Sequence, residues 1–357
     1  MTDAPGGAVR VPFPYVITGT GSRLPVRELS NDAVAAHFGR PGAWIEERTG
    51  VRSRRVAADG ESVVELAAGA SLDALADARI ASERLALVVA ASSTPGRFVP
   101  GIACGVQRLL GARTATALDV NAACAGFCFA VHTALGLLAG GLAEGPVLVV
   151  GAERFSPHLD YTDRGTAALF GDGAGAVVIE AADAPYGFLH TGIGSAGDKE
   201  QYVRIVPGEG RSRDAYTLFM DGRATRAFIE ERLPAMLSEA LAAGGLRPSD
   251  LDLVVPHQAN PRLLHTVLEG AGLEPEQIFM TGQRYGNTGA ASVPVTLDAA
   301  RRAGRLHDGA LVALAALGAG MTWGTQVLRW RRPDAQPVPG PSVSPRVRLE
   351  PVRSEPQ

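Results

Sequence analysis

Cysteine is scarce in this chain. The 357 residues hold three, Cys104, Cys124 and Cys128, an odd number whose spacing fits no zinc pattern, so no metal is expected. The count also fits a reducing compartment better than a disulfide-stapled scaffold. Long apolar runs are missing as well: no stretch reaches the length of a membrane span. Residues 1–19, with Pro5, Pro12 and Pro14, lack the charged-then-apolar layout of an export signal. The chain reads as cytoplasmic and soluble, without a membrane partner. Charge is in excess of neither sign. With 20% charged residues and a net charge of −3, nothing in the electrostatics calls for nucleic acid or an anionic surface. The run Gly171-Asp172-Gly173-Ala174-Gly175 lacks the Lys-Ser/Thr pair of a phosphate-cradling loop and is read as tight strand packing.

What the chain does have is enough apolar content, 46%, for a large core, and an internal repeat. Ile17-Thr18-Gly19-Thr20-Gly21-Ser22 is echoed by Thr191-Gly192-Ile193-Gly194-Ser195, and the apolar run at Leu85–Ala90 by Leu251–Pro256. A turn opening a small-residue helix recurs at Asn121–Ala125 and Asn287–Ser292, and a strand at Val147–Gly151 and Ala310–Leu314. Order and separation are both kept. Continuous apolar strands alternating with helical stretches such as Ser62–Asp77 and Ala224–Ala243 predict an α/β protein of two like halves, residues 1–183 and 184–330. Residues 331–357, rich in proline and poor in apolar side chains, are predicted to be a disordered tail without catalytic role.

Cys124 stands where an apolar strand-like run ends and a small-residue helix begins. Backbone N–H groups at a helix start favour thiolate over thiol, so this cysteine is expected to be poised as a nucleophile, whereas Cys104 and Cys128 are structural. The second half supplies His257, at the end of its strand-like run, and Asn287, opening the matching helix. Cys124 as nucleophile with His257 and Asn287 as hydrogen-bond donors to developing negative charge makes an acyl-transfer site. Cysteine hydrolases also combine Cys, His and Asn, and residue types alone do not separate the two.

Several linked motifs narrow the choice. They are Trp44-Ile45-x-x-Arg48-Thr49-Gly50-Val51, Asn121-Ala122-Ala123-Cys124-Ala125-Gly126-Phe127, Thr162-Asp163-Arg164-Gly165-Thr166 and Phe170-Gly171-Asp172-Gly173-Ala174-Gly175 in the first half. The second half adds Pro256-His257-Gln258-Ala259-Asn260, Gly286-Asn287-Thr288 and Gly318-Ala319-Gly320-x-Thr322-Trp323-Gly324. In this order they resemble the 3-oxoacyl-ACP synthase III family of condensing enzymes, over about residues 14 to 330. The resemblance implies a thiolase-like fold: duplicated halves, with two mixed sheets sandwiching buried helices in α-β-α-β-α layers.

It also implies a reaction. Cys124 takes an acyl group from acyl-CoA, and malonyl-ACP then loses carbon dioxide and attacks the thioester to give 3-oxoacyl-ACP. His257 and Asn287 stabilise the enolate, and the backbone N–H groups of Cys124 and Ala319 form the oxyanion hole. By the same resemblance Trp44, Arg48 and Arg164 hold the CoA nucleotide, Asn260 lies near the pantetheine tunnel and Arg262 near the carrier-protein approach. A homodimer without bound cofactor is expected. Val99 and Leu317 stand where phenylalanine commonly lines the acyl pocket, which predicts room for a longer or branched acyl primer. Arg226 stands in a segment that lacks the family's usual aromatic residue, and Gly289 stands where serine is usual. Two alternatives stay open: acyl transfer to a hydroxyl or amine acceptor, and a non-catalytic partner subunit, which the presence of Cys124 opposes.

Overall fold

A computed structural model describes residues 12–197, 201–207 and 216–331. The proline-rich tail therefore lies, beyond Arg331, outside the described residues. The first half runs through β1 (Tyr15–Arg23), β2 (Glu28–Ser30), α1 (Asn31–Ala35), α2 (Ala43–Thr49), β3 (Ser53–Arg55), α3 (Val63–Ala78) and β4 (Leu87–Ala91). It continues with α4 (Ile102–Leu110), β5 (Thr116–Val120), α5 (Gly126–Ala139), β6 (Val147–Glu153), α6 (Arg164–Ala167) and β7 (Gly173–Ala181). The second half comprises β8 (Gly187–Ser195), β9 (Val203–Pro207), β10 (Tyr216–Met220), α7 (Gly222–Ala243) and β11 (Leu253–Pro256). Then follow α8 (Pro261–Gly270), α9 (Gly282–Tyr285), α10 (Ser292–Arg302), β12 (Leu311–Gly318) and β13 (Thr322–Arg329).

The two large sheets have matching strand orders, β1-β7-β6-β4-β5 and β8-β13-β12-β11. β6–β4 and β12–β11 are the matching parallel pairs, the next two pairings in each sheet (β6–β7 and β7–β1, β12–β13 and β13–β8) are antiparallel, and β5 adds a further parallel strand to the first sheet. Where the first sheet has β5, the second keeps a single parallel bridge between Val254 and Ile278. The repeat in the sequence is thus a repeat in space, and every echoed segment falls on the corresponding strand or turn. β4, β6 and β12 are buried along their whole length, as strands covered on both faces must be.

Helices α5 and α10 fill the layer between the sheets, sharing one core with residues such as Val89, Val149, Val255 and Leu314. α3 and α4 cover the outer face of the first sheet, and α7 and α8 that of the second. Local chemistry explains the placement. α3 starts with a capping box, Ser62 Oγ accepting from Glu65 N–H while the Glu65 carboxylate accepts from Ser62 N–H. It lies directly on β1, where a Cβ at Gly19 or Gly21 would run into its backbone at Ala74 and Ala70. Across the halves, buried Asp298 of α10 accepts hydrogen bonds from Thr20 Oγ1 at 2.7 Å and Ser22 Oγ at 2.5 Å, and pairs with Arg302. The central helix is therefore tied to β1 by hydroxyl-to-carboxylate hydrogen bonds as well as by apolar contact.

Candidate active site

The chain turns sharply between β5 and α5. Asn121 Oδ1 accepts from Ala123 N–H at 3.1 Å, Ala123 takes a left-handed φ of 49°, and Ala125 N–H and Gly126 N–H bond back to Ala122 O and Ala123 O. A left-handed alanine costs about 1–2 kcal/mol, which the surrounding contacts must offset. Those contacts come from the second half. Thr322 Oγ1 lies 2.8 Å from Ala122 O and 3.2 Å from Ala319 O, and a Cβ on Gly318 would sit 2.7 Å from Ala122 O and Ala125 N. Only glycine lets the Gly318-Ala319-Gly320 segment come this close, which brings the Ala319 backbone against the turn that carries Cys124.

His257 follows β11, its N–H bonded to Ala315 O at 2.7 Å and its Nδ1 2.7 Å from Ser292 Oγ, leaving Nε2 as the ring nitrogen open to the site. Asn287 is held on both sides by the first half: its N–H bonds Leu169 O at 2.8 Å, and its carbonyl accepts from Gly171 N–H at 3.0 Å. Its Oδ1 accepts from Gly289 N–H at 2.8 Å, so the NH2 end of the carboxamide remains the free donor.

Cys124, His257 and Asn287 line a single cavity of about 780 Å³, together with Ala319 and Leu317. Trp44, Arg48, Arg164, Asn260 and Arg262 line the same cavity. The guanidinium carbons of Arg48 and Arg164 lie 5.9 and 5.8 Å from the Trp44 ring centre, an aromatic plate flanked by two permanent charges. Arg262 donates to Glu47 O at 2.9 Å, and Asn260 Oδ1 caps α8 by accepting from Leu263 N–H at 3.0 Å. Asn260 thus has a capping role that its position in the motif did not reveal.

Two expectations need correction. Val99 is 84% exposed, in the loop between β4 and α4, and does not line this chain's cavity, because that loop runs outward from the end of β4. The other concerns Cys124, which was expected to favour the thiolate. Burial in the wall of the site pushes its thiol up to about 12, the nearby Glu153 carboxylate adds to the rise, and its own backbone N–H opposes both without prevailing. His257 is moved the other way, down to about 4 by burial, so the imidazole is neutral at physiological pH.

The sequence reading missed several residues that build this site. Phe228, Ile229 and Met321 also line the cavity, Ser292 holds His257, and Glu153 lies buried behind the site. Glu153 left one trace: a carboxylate closing the otherwise apolar run Val147–Ala152.

Comparison with known proteins gives the family. Residues 118–197 match the family profile described as 3-oxoacyl-[acyl-carrier-protein] synthase III, and residues 241–330 match that of its C-terminal part. The beta-ketoacyl-[acyl-carrier-protein] synthase III of Rhodospirillum centenum is 40% identical over 90% of this chain and 100% of its own length. The crystal structure of 3-oxoacyl-(acyl carrier protein) synthase III from Pseudomonas aeruginosa superposes with a TM-score of 0.83 at 40% identity, covering 90% of this chain and 99% of that one. The priming beta-ketosynthase of the R1128 polyketide pathway gives a TM-score of 0.84 at 33% identity, covering 92% and 100%. The chain belongs to the 3-oxoacyl-ACP synthase III family, enzymes of α/β thiolase fold.

Proposed function

We propose that this enzyme primes fatty-acid or polyketide synthesis by condensing an acyl group from acyl-CoA with malonyl-ACP. The observation that carries the reading is the meeting of Cys124, His257 and Asn287, from three separate elements, on one cavity. In the loading step the Cys124 sulfur bonds to the acyl carbon, the bond to the CoA sulfur breaks, and CoA leaves as the thiol. The backbone N–H groups of Cys124 and Ala319 receive the oxyanion. In the second step malonyl-ACP loses carbon dioxide, and the enolate carbon bonds to the acyl carbon. The bond to Cys124 breaks and the sulfur takes up a proton.

An enolate beside a thioester is too basic to persist unless fixed donors meet its oxygen. Asn287 Nδ2 donates to it, and His257 Nε2 does so in the tautomer that carries the ring proton there while Nδ1 accepts from Ser292 Oγ; a preorganised donor of this kind is worth about 3–4 kcal/mol. A neutral imidazole serves here as a dipolar group rather than a buried cation, whose desolvation would be costly. Trp44, Arg48 and Arg164 hold the CoA nucleotide, Asn260 flanks the pantetheine arm, and Arg262 faces the carrier protein. Leu317 in place of an aromatic ring leaves space for a primer longer than acetyl. The working form is a homodimer in the cytoplasm: Phe98 and Val99, 86% and 84% exposed, are the apolar residues a second copy would cover. The nucleophile belongs to the half 1–183 and the donors to the half 184–330.

The test is release of labelled carbon dioxide from malonyl-ACP with a panel of acyl-CoA primers. Release with primers beyond acetyl is expected. Acyl loading with no release from any primer would contradict condensation and favour transfer to a hydroxyl or amine acceptor.

A further inference from the structure

Arg54, in β3, is only 1% exposed, a guanidinium removed from water. Such a charge is costly to bury, and an acidic partner is the usual remedy. Among the described residues no carboxylate pairs with it. Its Nη1 donates to Asn31 Oδ1 at 2.9 Å and to Leu29 O at 3.4 Å, and its Nη2 donates to Ala168 O at 2.8 Å. Burial pulls the group down to about 10, so it keeps its proton at neutral pH. A cation held by neutral acceptors alone is a weak stabilising device, and its surroundings give it another use.

Arg54 lies against the grip on Asn287, which has two sides. On one, Leu169 O accepts from Asn287 N–H at 2.8 Å and Gly171 N–H donates to Asn287 O at 3.0 Å. On the other, Gly286 turns the chain into Asn287 with a left-handed φ of 68°. The Arg54 stem backs both. A Cβ at Gly171 would come within 3.1 Å of Arg54 Cβ and run into Tyr285 O, and one at Gly286 would come within 3.3 Å of Arg54 Cβ and run into Leu169 O. The head of the same side chain fixes Ala168 O, in the residue immediately before Leu169. Arg54 is itself held by Leu29 of β2 and by Asn31 of α1, whose Nδ2 donates onward to Val51 O at 2.7 Å. It therefore meets the grip at three points: a bond at Ala168 and close packing at Gly171 and Gly286.

We infer that Arg54 is a positioning residue for condensation: by holding Ala168 and backing Gly171 and Gly286, it sets where the Asn287 carboxamide stands in the cavity. The inference rests on Asn287 acting as a donor to the enolate, and it concerns what places that donor. A lysine at this position keeps the charge but offers one nitrogen in place of a planar fork, so it cannot serve Asn31, Leu29 and Ala168 with the same geometry. The grip then shifts, and a donor misplaced by about 1 Å loses much of its effect on rate.

The experiment measures two rates in the wild-type chain, Arg54→Lys, Asn287→Ala and the double variant. They are loading of Cys124 at saturating acyl-CoA and discharge of the acyl adduct by malonyl-ACP, each per folded protein and followed by intact mass. Arg54→Lys is expected to load within about twofold of wild type and to discharge about tenfold or more slowly. In the Asn287→Ala background the same substitution should change discharge by less than about twofold, because the group it positions is gone. A merely structural role slows both steps alike, or slows discharge by the same factor with and without Asn287; either result overturns the proposal, as does unimpaired discharge. Should Arg54→Lys not fold, Asn31→Ala decides. It removes the side-chain acceptor that holds Arg54 and should slow discharge but not loading, by about threefold, an effect that vanishes in Asn287→Ala; no such split overturns the proposal. The wild-type chain separates the two readings. If malonyl-ACP never discharges its adduct, the condensation reading fails and this inference with it, whereas wild-type discharge with the wrong pattern among the variants overturns this inference alone.

Discussion

The turn Asn121–Gly126 in the first half and the turn Asn287–Ser292 in the second each lead into the helix that fills the layer between the sheets. Their interiors have diverged. In the first, a left-handed alanine forces Cys124 out immediately before a fourteen-residue helix, and the loop around Ala319 presses on it from the other half. In the second, a short turn at Gly289–Ala291 separates Asn287 from α10, and the asparagine is gripped by Leu169 and Gly171 of the first half. Each half therefore supports the other's reactive group. The two turns lead into equivalent helices, but the first follows strand β5 and the second helix α9; on the proposed reading one carries the nucleophile and the other a donor.

Removing the donors while leaving the nucleophile should break the pair most severely. Asn287→Ala or His257→Ala is expected to lower condensation turnover by about 10²–10³ each, with acyl loading of Cys124 retained. Steady-state release of product, measured beside single-turnover loading, checks the split. Equal loss of both steps would mean that the donors serve the nucleophile and not the enolate.

A smaller effect is expected at the contact between the two turns. Gly318→Val puts atoms where Ala122 O and Ala125 N already sit, and overpacking of this kind costs about 1–3 kcal/mol. Thermal unfolding should show a lowered Tm, and loading should slow because the Ala319 N–H is displaced from the oxyanion position. An unchanged Tm with normal loading would show that the two turns do not depend on each other.

Much of this arrangement was legible in the residues. Strands buried on both faces must be continuously apolar, so β4, β6, β11 and β12 stood out and their repeat could be aligned. Cys124 and His257 were readable because each sits at the end of a strand or ahead of a helix; Asn287 was expected to open the matching helix, and instead lies between α9 and the short turn that precedes α10. Three things were not legible. The upward push on the Cys124 thiol comes first from burial, which a position in the chain does not reveal. Glu153 itself looks like an ordinary strand-end carboxylate until Ser93, Thr94 and Ala290 are brought around it. Val99 follows a motif position, yet its loop leaves the cavity of its own chain. The β2–β3 pairing and the β9–β10 hairpin also went unread, since strands of three and five residues carry little periodicity.

The most direct measurement is the intact mass of the protein after incubation with an acyl-CoA, for the wild-type chain, Asn287→Ala and Cys124→Ala. The account predicts one acyl adduct on the first two and none on the third, with the adduct on wild type discharged by malonyl-ACP and that on Asn287→Ala persisting. An adduct on Cys124→Ala, or rapid discharge from Asn287→Ala, would contradict the claim that a sulfur from one half and a carboxamide from the other act on one thioester.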